Sequence, residues 1–327
     1  MTRRATVACL AGAGTAPELM AEAVLALSAV ARLHAVEIDD VHVPFGAAAV
    51  ARAGQSFPAA TRAVVLGADA VLVAGAEDPT LADVMAELDL RARLTRVRFG
   101  RDDDVAIVSP LDESSDAWTL ETAFSLAESR RLRLAIVGDR DWHELAEAVS
   151  ETHDHVAAEY LSPKVAVPLA AFDAARFDVV AVAERWAEPI VEIVAAPASA
   201  RVAAHGLLAE HGPSIFMPSP EGGFALAAEA GSRVGSAAFA RSEAGGGVVN
   251  PSSMLLAAAL VLEYGLGQPG AAATLAGAVS AALVDGPRTP DLLRRGLGAS
   301  TRDFTSRVLA GFQLSLRNAE FWAGRAS

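Results

Sequence analysis

The sequence predicts an α/β protein in which helices cover both faces of a mostly parallel sheet. Three observations point there. Short apolar runs such as Ala5–Leu10 and Ala70–Ala74 alternate with longer amphipathic stretches. These runs are apolar at nearly every position, as in strands buried on both faces, rather than at every second one. No internal repeat is present, which removes solenoids and propellers. A chain of 327 residues is long enough for two medium domains or one large α/β unit.

Taken in order, Ala5–Leu10 reads as a strand and Gly12–Thr15 as a turn. Pro17 then opens a helix to Leu33, at a position where its missing N–H costs nothing. Val36–Val43 alternates as a strand, Pro58–Leu66 is helical, and Ala70–Ala74 is a buried strand. Leu81–Leu94 reads as a helix and Val105–Val108 as a strand. The middle continues with helix Thr119–Arg131, strand Leu134–Val137, helix Trp142–Ser150 and strand Val179–Val182. Ala209–Gly247 is loop-rich, with Pro213, Pro218 and Pro220, and reads as a functional loop or an insertion. Helices at Met254–Tyr264 and Ala271–Leu283 follow, and the chain is helical again from Phe304.

Composition narrows the function. Hydrophobic residues make up 52% and charged residues 20%, the balance of an ordinary globular chain. A net charge of −13 argues against nucleic acid and against anionic membrane surfaces. No run approaches the roughly 18 apolar residues of a membrane span. Gly12, Gly14, Pro17 and Glu18 interrupt the apolar stretch after the basic start, so it does not read as a secretory signal. A cytoplasmic location is expected. The one cysteine, Cys9, excludes an intrachain disulfide, and its neighbours Val7, Ala8 and Leu10 place it in the core. Lysine occurs once, at Lys164, among 27 basic residues. It is either a surface survivor in an arginine-rich chain or a residue kept for a charge that burial can tune. His153 and His155 form a His-x-His pair without a third ligand candidate and read as loop residues.

Two sets of motifs at the chain ends carry a resemblance. The first is Gly12-Ala13-Gly14-Thr15-Ala16-Pro17-Glu18 after the opening strand, then Gly46-Ala47-Ala48, Gly54, Pro58, Thr61 and Ala68–Gly75. The second is Gly247-Val248-Val249-Asn250-Pro251, Met254-Leu255, Tyr264-Gly265-Leu266-Gly267 and Arg288-Thr289-Pro290-Asp291-Leu292. In order and spacing the chain resembles the isocitrate/isopropylmalate dehydrogenase family, the metal-dependent β-decarboxylating dehydrogenases. A Rossmann phosphate loop at Gly12-Ala13-Gly14 is ruled out by the missing third glycine and by Pro17. The resemblance implies two α/β domains, residues 1–98 with 200–327 on the nucleotide side and 99–199 for dimerisation, with a cleft between them. It also implies a homodimer, NAD bound near Gly12, Gly14, Glu221, Gly222 and Asn250, and a small carboxylic-acid ligand.

The family reaction oxidises a 2-hydroxy acid and then loses CO2 with the help of Mg²⁺ or Mn²⁺ held by three aspartates. Two of these lie four residues apart on a helix after a Phe-Asp-Val strand. Here Phe177-Asp178-Val179 is that strand, and the pair becomes Glu188 and Glu192, on one helix face. The alternative is two solvated glutamates. The third position, supplied by the partner subunit in the family, falls on Lys164 when counted back from Phe177. A protonated lysine does not ligate Mg²⁺, but its ammonium can take the cation's place beside Glu188 and Glu192, or serve as a base when neutral.

Other positions depart too. The catalytic lysine of the family reads Asp139 here, or Arg140 with a one-residue slip. The arm that carries its tyrosine is deleted, because Val108–Leu111 runs almost directly into Asp116–Trp118. The substrate arginines align with Met85, Thr95 and Ser109. The nearby run Arg91, Arg93, Arg96, Arg98 and Arg101 reads as a solvated helix face and edge strand, or else as a shifted carboxylate site. The loop at 217–225 lacks the family's histidine and ribose-binding aspartate. The resemblance therefore points to a divergent dehydrogenase with candidate catalytic residues Lys164 and Asp139. The alternatives are a non-catalytic paralogue that regulates or binds an intact one, and an enzyme of altered chemistry built on Lys164.

Overall fold

The computed structural model describes residues 4–75, 78–99, 103–195, 200–218, 245–293 and 298–323. The nucleotide-side beginning is β1 (Ala5–Ala11), α1 (Ala16–Leu33), β2 (Ile38–Pro44), α2 (Gly46–Ala53), α3 (Ala59–Gly67), β3 (Ala70–Ala74) and α4 (Leu81–Met85). Then come β4 (Asp89–Phe99), β5 (Asp103–Pro110), α5 (Asp116–Glu128), β6 (Arg133–Val137), α6 (Arg140–Ser150), β7 (Ala157–Leu161), α7 (Pro163–Asp173), β8 (Val179–Val182) and α8 (Glu184–Ala195). The chain returns through β9 (Ala200–His211), β10 (Ser214–Pro218), α9 (Ser252–Leu260), α10 (Pro269–Asp285) and α11 (Thr301–Ala323). A π-helical turn, Val261–Gly265, extends α9.

All ten strands join one sheet in the order β2-β1-β3-β10-β9-β4-β5-β8-β6-β7. It is mostly parallel, as the sequence predicts. Antiparallel pairs occur where β9 meets β10 and where β4 meets β9 and β5. The strands of the central block, β5 to β8, therefore run opposite to β1 and β3.

Alternation along each strand separates the two faces. Val7, Cys9, Leu72, Leu94, Val108, Ile136 and Phe216 join one continuous cluster under α1, α5, α6, α9, α10 and α11. The opposite face carries two clusters. Leu10, Val71, Val73 and Ile215 pack against the α2–α4 region, while Val97, Ile107, Val180 and Val182 pack against α7 and α8. Between these two clusters, the same face of β4 and β9 presents Arg93, Thr95 and His205. Cys9 is buried, and burial, aided by Asp40, pushes its thiol up to about 12. That fits its reading as core.

Three expectations need correction. Leu81–Leu94 is not one helix: α4 ends at Met85 and β4 begins at Asp89. Apolar residues at Leu81, Val84, Met85 and Leu88 imitate a helical stripe, but Ala92 and Leu94 face the cluster opposite Val97 and Phe99, a period of two. The stretch after Ala209 is less loop-rich than it reads, since β9 reaches His211 and Ser214–Pro218 is a paired strand. The arginine run is neither a helix face nor an edge. Arg96 and Arg98 are buried on a central strand, and Arg101 lies outside the described residues.

Arg96 anchors a buried ionic cluster. Its Nε donates to Asp104 Oδ2 at 2.7 Å, and its Nη1 reaches Glu263 at 3.1 Å and the Tyr264 hydroxyl at 2.7 Å. Arg130 Nη2 lies 3.0 Å from Asp104 Oδ1 and 2.7 Å from Asp178 Oδ1. Burial alone would raise the Asp104 carboxyl, but Arg96 and Arg130 override it and hold it well below the usual carboxylate range. Arg98 Nε donates to Ser280 Oγ at 2.7 Å. His153 follows α6, is buried, and stacks on Phe124. Its Nδ1 and Nε2 lie 2.6 Å and 3.1 Å from Glu128 and Glu121. It is a loop residue as expected, but one that ties its loop to α5.

Removing one member of the ionic cluster leaves charge buried without its partner. Asp104→Ala should cost about 3–5 kcal/mol in urea unfolding. Burial opposes the charged form of His153, but the hydrogen bonds it donates to Glu128 and Glu121 win and raise its pKa. A raised value stabilises the fold below the unfolded imidazole value of about 6.5, and the gain fades as pH climbs through the folded value. The difference in urea midpoint between the wild type and His153→Gln should be largest at acidic pH and shrink on the alkaline side.

Candidate functional site

The turn after β1 sits tightly on its neighbour strand. Gly12 N donates to Ala74 O at 2.8 Å, and a Cβ at Gly12 would lie 3.2 Å from that oxygen. Gly14 has φ +70°, a backbone region that favours glycine. In the first turn of α1, Glu18 Oε2 accepts from Gly247 N at 3.1 Å. Asn250 Oδ1 accepts from the N–H of Ser252, the first residue of α9, at 2.9 Å. Asn250 N in turn donates to Asp291 Oδ2 at 2.8 Å. Burial pushes the Asp291 carboxyl up, against the hydrogen bonds it accepts. Asn250 Nδ2, Glu18 Oε1 and Asp291 Oδ1 are buried without a partner. Of the expected nucleotide residues, Asn250 thus carries an unmet group, Gly12 and Gly14 form the tight turn after β1, and Glu221 and Gly222 lie outside the described residues.

Asp139 and Lys164 come together elsewhere. Asp139 is the N-cap of α6, and Lys164 follows Pro163 in the first turn of α7. Both line a recess of about 880 Å³ with Gly138, His143, Val167 and Trp186. The Asp139 carboxylate is paired with Arg185, and Arg140 Nε is 2.6 Å from Glu144 Oε1. Lys164 is exposed and has no ion-pair partner among the described residues. Gly138 packs against the Trp142 indole, where a Cβ would come within 2.4 Å of the ring.

Glu188 and Glu192 are exposed on α8, whose buried residues are Ala187, Ile190, Val191, Val194 and Ala195. They share a helix face as their spacing implies, but they do not line the recess. Among the described residues no third carboxylate or histidine gathers around them. The one group of that kind is Asp89, Glu210 and His211, which is exposed and already served by Arg91. A hard divalent cation takes six or more oxygens, so two carboxylates from one chain leave most of its shell to water, substrate or a second copy.

Strand direction separates the two sets. The Gly12 turn follows β1 and the Asp139 turn follows β6, and these strands run in opposite senses. The connection from β5 to α5 is short: β5 ends at Pro110 and α5 starts at Asp116, with one turn, Glu113–Ser115, between. Thr95 and Ser109, where the resemblance leads one to expect substrate arginines, are buried. Sequence reasoning missed His205, whose Nδ1 lies 2.8 Å from Thr95 Oγ1 on the polar strip between two apolar clusters. A polar residue at one inward position of an otherwise apolar strand, Ala203–Leu208, was the available signal.

Comparison with known proteins gives one answer. Residues 216–308 match the family model described as isocitrate/isopropylmalate dehydrogenase. A 3-isopropylmalate dehydrogenase of Streptococcus mutans is 24% identical over 93% of this chain and 98% of its own length. That of Pseudoalteromonas translucida is 27% identical, with the same two coverages of 93% and 98%. Among solved structures, a β-decarboxylating dehydrogenase from Thermococcus kodakarensis superposes with TM-score 0.78 at 20% identity, covering 97% of this chain and 99% of that one. An isocitrate dehydrogenase from Methylococcus capsulatus gives TM-score 0.71 at 17% identity, covering 94% and 99%.

Proposed function

We propose, for a chain that belongs to the isocitrate/isopropylmalate dehydrogenase family, that it is a nicotinamide-dependent oxidoreductase acting on a small 2-hydroxy acid, with an ammonium group where relatives place a divalent metal. The observation that carries the nucleotide half is the buried, unpaired Asn250 Nδ2. A buried amide without a partner costs about 1–3 kcal/mol, which a bound base or ribose offsets. NAD, when bound, accepts the hydride. The residues of the chain orient the acid.

Residues 1–98 with 200–327 and residues 99–199 would act as two domains facing a cleft along the polar strip of Arg93, Thr95 and His205. Lys164 takes the electrophilic role. An ammonium has three donors, so it can hold a substrate oxygen while Glu188 and Glu192 of a second copy hold the ammonium. Asp139, already engaged by Arg185, orients the site rather than accepting the proton. A second reading, a non-catalytic paralogue that pairs with an intact one, is favoured by that same engagement and by the burial of Thr95 and Ser109.

The homodimer reading has its own support. Val165, Pro168, Leu169 and Phe172 form a stripe at i, i+3, i+4 and i+7 on α7, with Phe172 94% exposed and Val165 48% exposed. A second copy laying α7 on α7 would cover it.

Two experiments test these readings. NAD or NADP near 100 times its Kd should raise the melting temperature by the equivalent of about 2.7 kcal/mol, and Asn250→Ala should abolish the rise. Reduction of the nucleotide at 340 nm by a panel of 2-hydroxy acids should then survive EDTA. No shift with either nucleotide would favour the non-catalytic paralogue, and a strict Mg²⁺ requirement would restore the metal. In sedimentation equilibrium, Phe172→Asp should convert a dimer to monomer while leaving the circular dichroism unchanged. A wild-type monomer would remove the dimer.

A further inference from the structure

The two halves of the sheet run in opposite senses, so their strands end at different levels, and the registers fix where each level falls. His205 on β9 lies opposite Met217 on β10 and Thr95 on β4. Phe216 faces Leu72, and Val73 faces Leu10, so this row continues to Leu10, two residues before Gly12. Arg93 lies two residues along β4, opposite Leu207 and Ser109. Val108 faces Ala181, and Val182 faces Val137, so the second row continues to Val137, two residues before Asp139. The polar strip thus bridges the two levels, with His205 on the row of the nucleotide-side turn and Arg93 on the row of the Asp139 turn. As diagonal neighbours on adjacent strands the two residues are about 7–8 Å apart. A small acid spans that gap, with its carboxylate on the guanidinium and its C2 hydroxyl at the imidazole.

His205 is the one side chain of these two rows, among the described residues, that takes up a proton near neutral pH. Other candidates are engaged elsewhere. Asp139 is held by Arg185, and the Tyr264 hydroxyl is held by Arg96, which points to the other face of β4. His205 Nδ1 lies 2.8 Å from Thr95 Oγ1. When Nδ1–H donates to that hydroxyl, Nε2 carries the lone pair, and the same bond persists once the ring is protonated. Thr95 is buried, His205 is partly exposed and Arg93 is exposed. The imidazole is therefore gripped from within the sheet, on a face that solvent reaches.

We infer, resting on the oxidoreductase reading, that His205 is the catalytic residue that accepts the hydroxyl proton of the acid, with Thr95 as its positioning residue. The O–H bond of the 2-hydroxy acid breaks and its proton moves to His205 Nε2. The electron pair of that bond closes the C2=O bond of the 2-oxo acid, while the C2 hydride leaves for the oxidised nicotinamide. Thr95 fixes the tautomer that can accept and then holds the imidazolium.

Two readouts test this role. The first needs no turnover: long-range ¹H–¹⁵N NMR of the imidazole nitrogens, without nucleotide or acid and at mildly alkaline pH, should place the His205 proton on Nδ1. His205→Asn assigns the signal, and Thr95→Val should erase the preference. A proton on Nε2 in the wild type would overturn the proposal whatever the activity. The second is the 340 nm assay with the panel of 2-hydroxy acids. His205→Asn keeps an amide N–H toward Thr95 but has no Nε2, and should lower kcat about 10²–10⁴-fold with KM little changed. Arg93→Met should instead raise KM, and free imidazole should restore turnover to His205→Gly. A kcat near wild type in a folded His205→Asn, or no rescue by imidazole, sinks the proton acceptor and leaves the oxidoreductase standing. A wild type that oxidises none of the acids removes both.

Discussion

The constraint on which this structure depends is charge neutrality inside the sheet. Arg96 and Arg130 lie among apolar neighbours, and each ion needs an opposite charge within reach to remain there. Asp104 and Asp178 answer them, and Glu263 and Tyr264 close the cluster from the π-helical turn after α9. The participating elements are β4, β5, β8, α5 and that turn. They include the antiparallel junction where the strands from the chain ends meet the strands from the middle. Apolar packing would hold the same elements without preferring one register over the next. A set of directional pairs selects one alignment of β4 on β5, and the sheet continues across its reversal of direction.

Much of the architecture was legible from pattern alone. Ala70–Ala74 and Val179–Val182 are strands with the bounds the sequence suggests, and α1 runs from Ala16 to Leu33 as Pro17 indicates. What was illegible has physical reasons. Leu81 to Leu94 fits a helical stripe until tertiary pairing claims its second half. α7 starts at Pro163 and contains Pro168, and two prolines five residues apart discourage a helical reading even when one sits in the first turn and the other is exposed. Arg96 reads as solvated because its counter-charges, Asp104 and Glu263, come from elsewhere, the latter 167 residues away.

The site was legible only in part. The chain ends carry turns that single out Gly12, Gly14 and Asn250, and of these Asn250 has an unpaired polar atom. The middle of the chain placed Asp139 and Lys164 separately, by counting, and the fold puts both on one recess. It does not bring Glu188 and Glu192 to that recess, since their helix turns its apolar side inward and leaves both carboxylates in solvent. Nothing in the primary pattern announced Arg185, which satisfies Asp139 from the first turn of α8. Ion pairs between loops that follow different strands are a product of the fold, and a linear reading does not contain them.

A chain with a single ε-amino group, exposed at the rim of its recess, carries a chemical address that few proteins have. Reagents that acylate or reductively alkylate amines find one side chain, besides the α-amino group, and that side chain is Lys164. A dye, spin label or isotopic methyl group can therefore be installed at this place without engineering. Whatever enters the recess or covers its mouth would then report itself through that one tag.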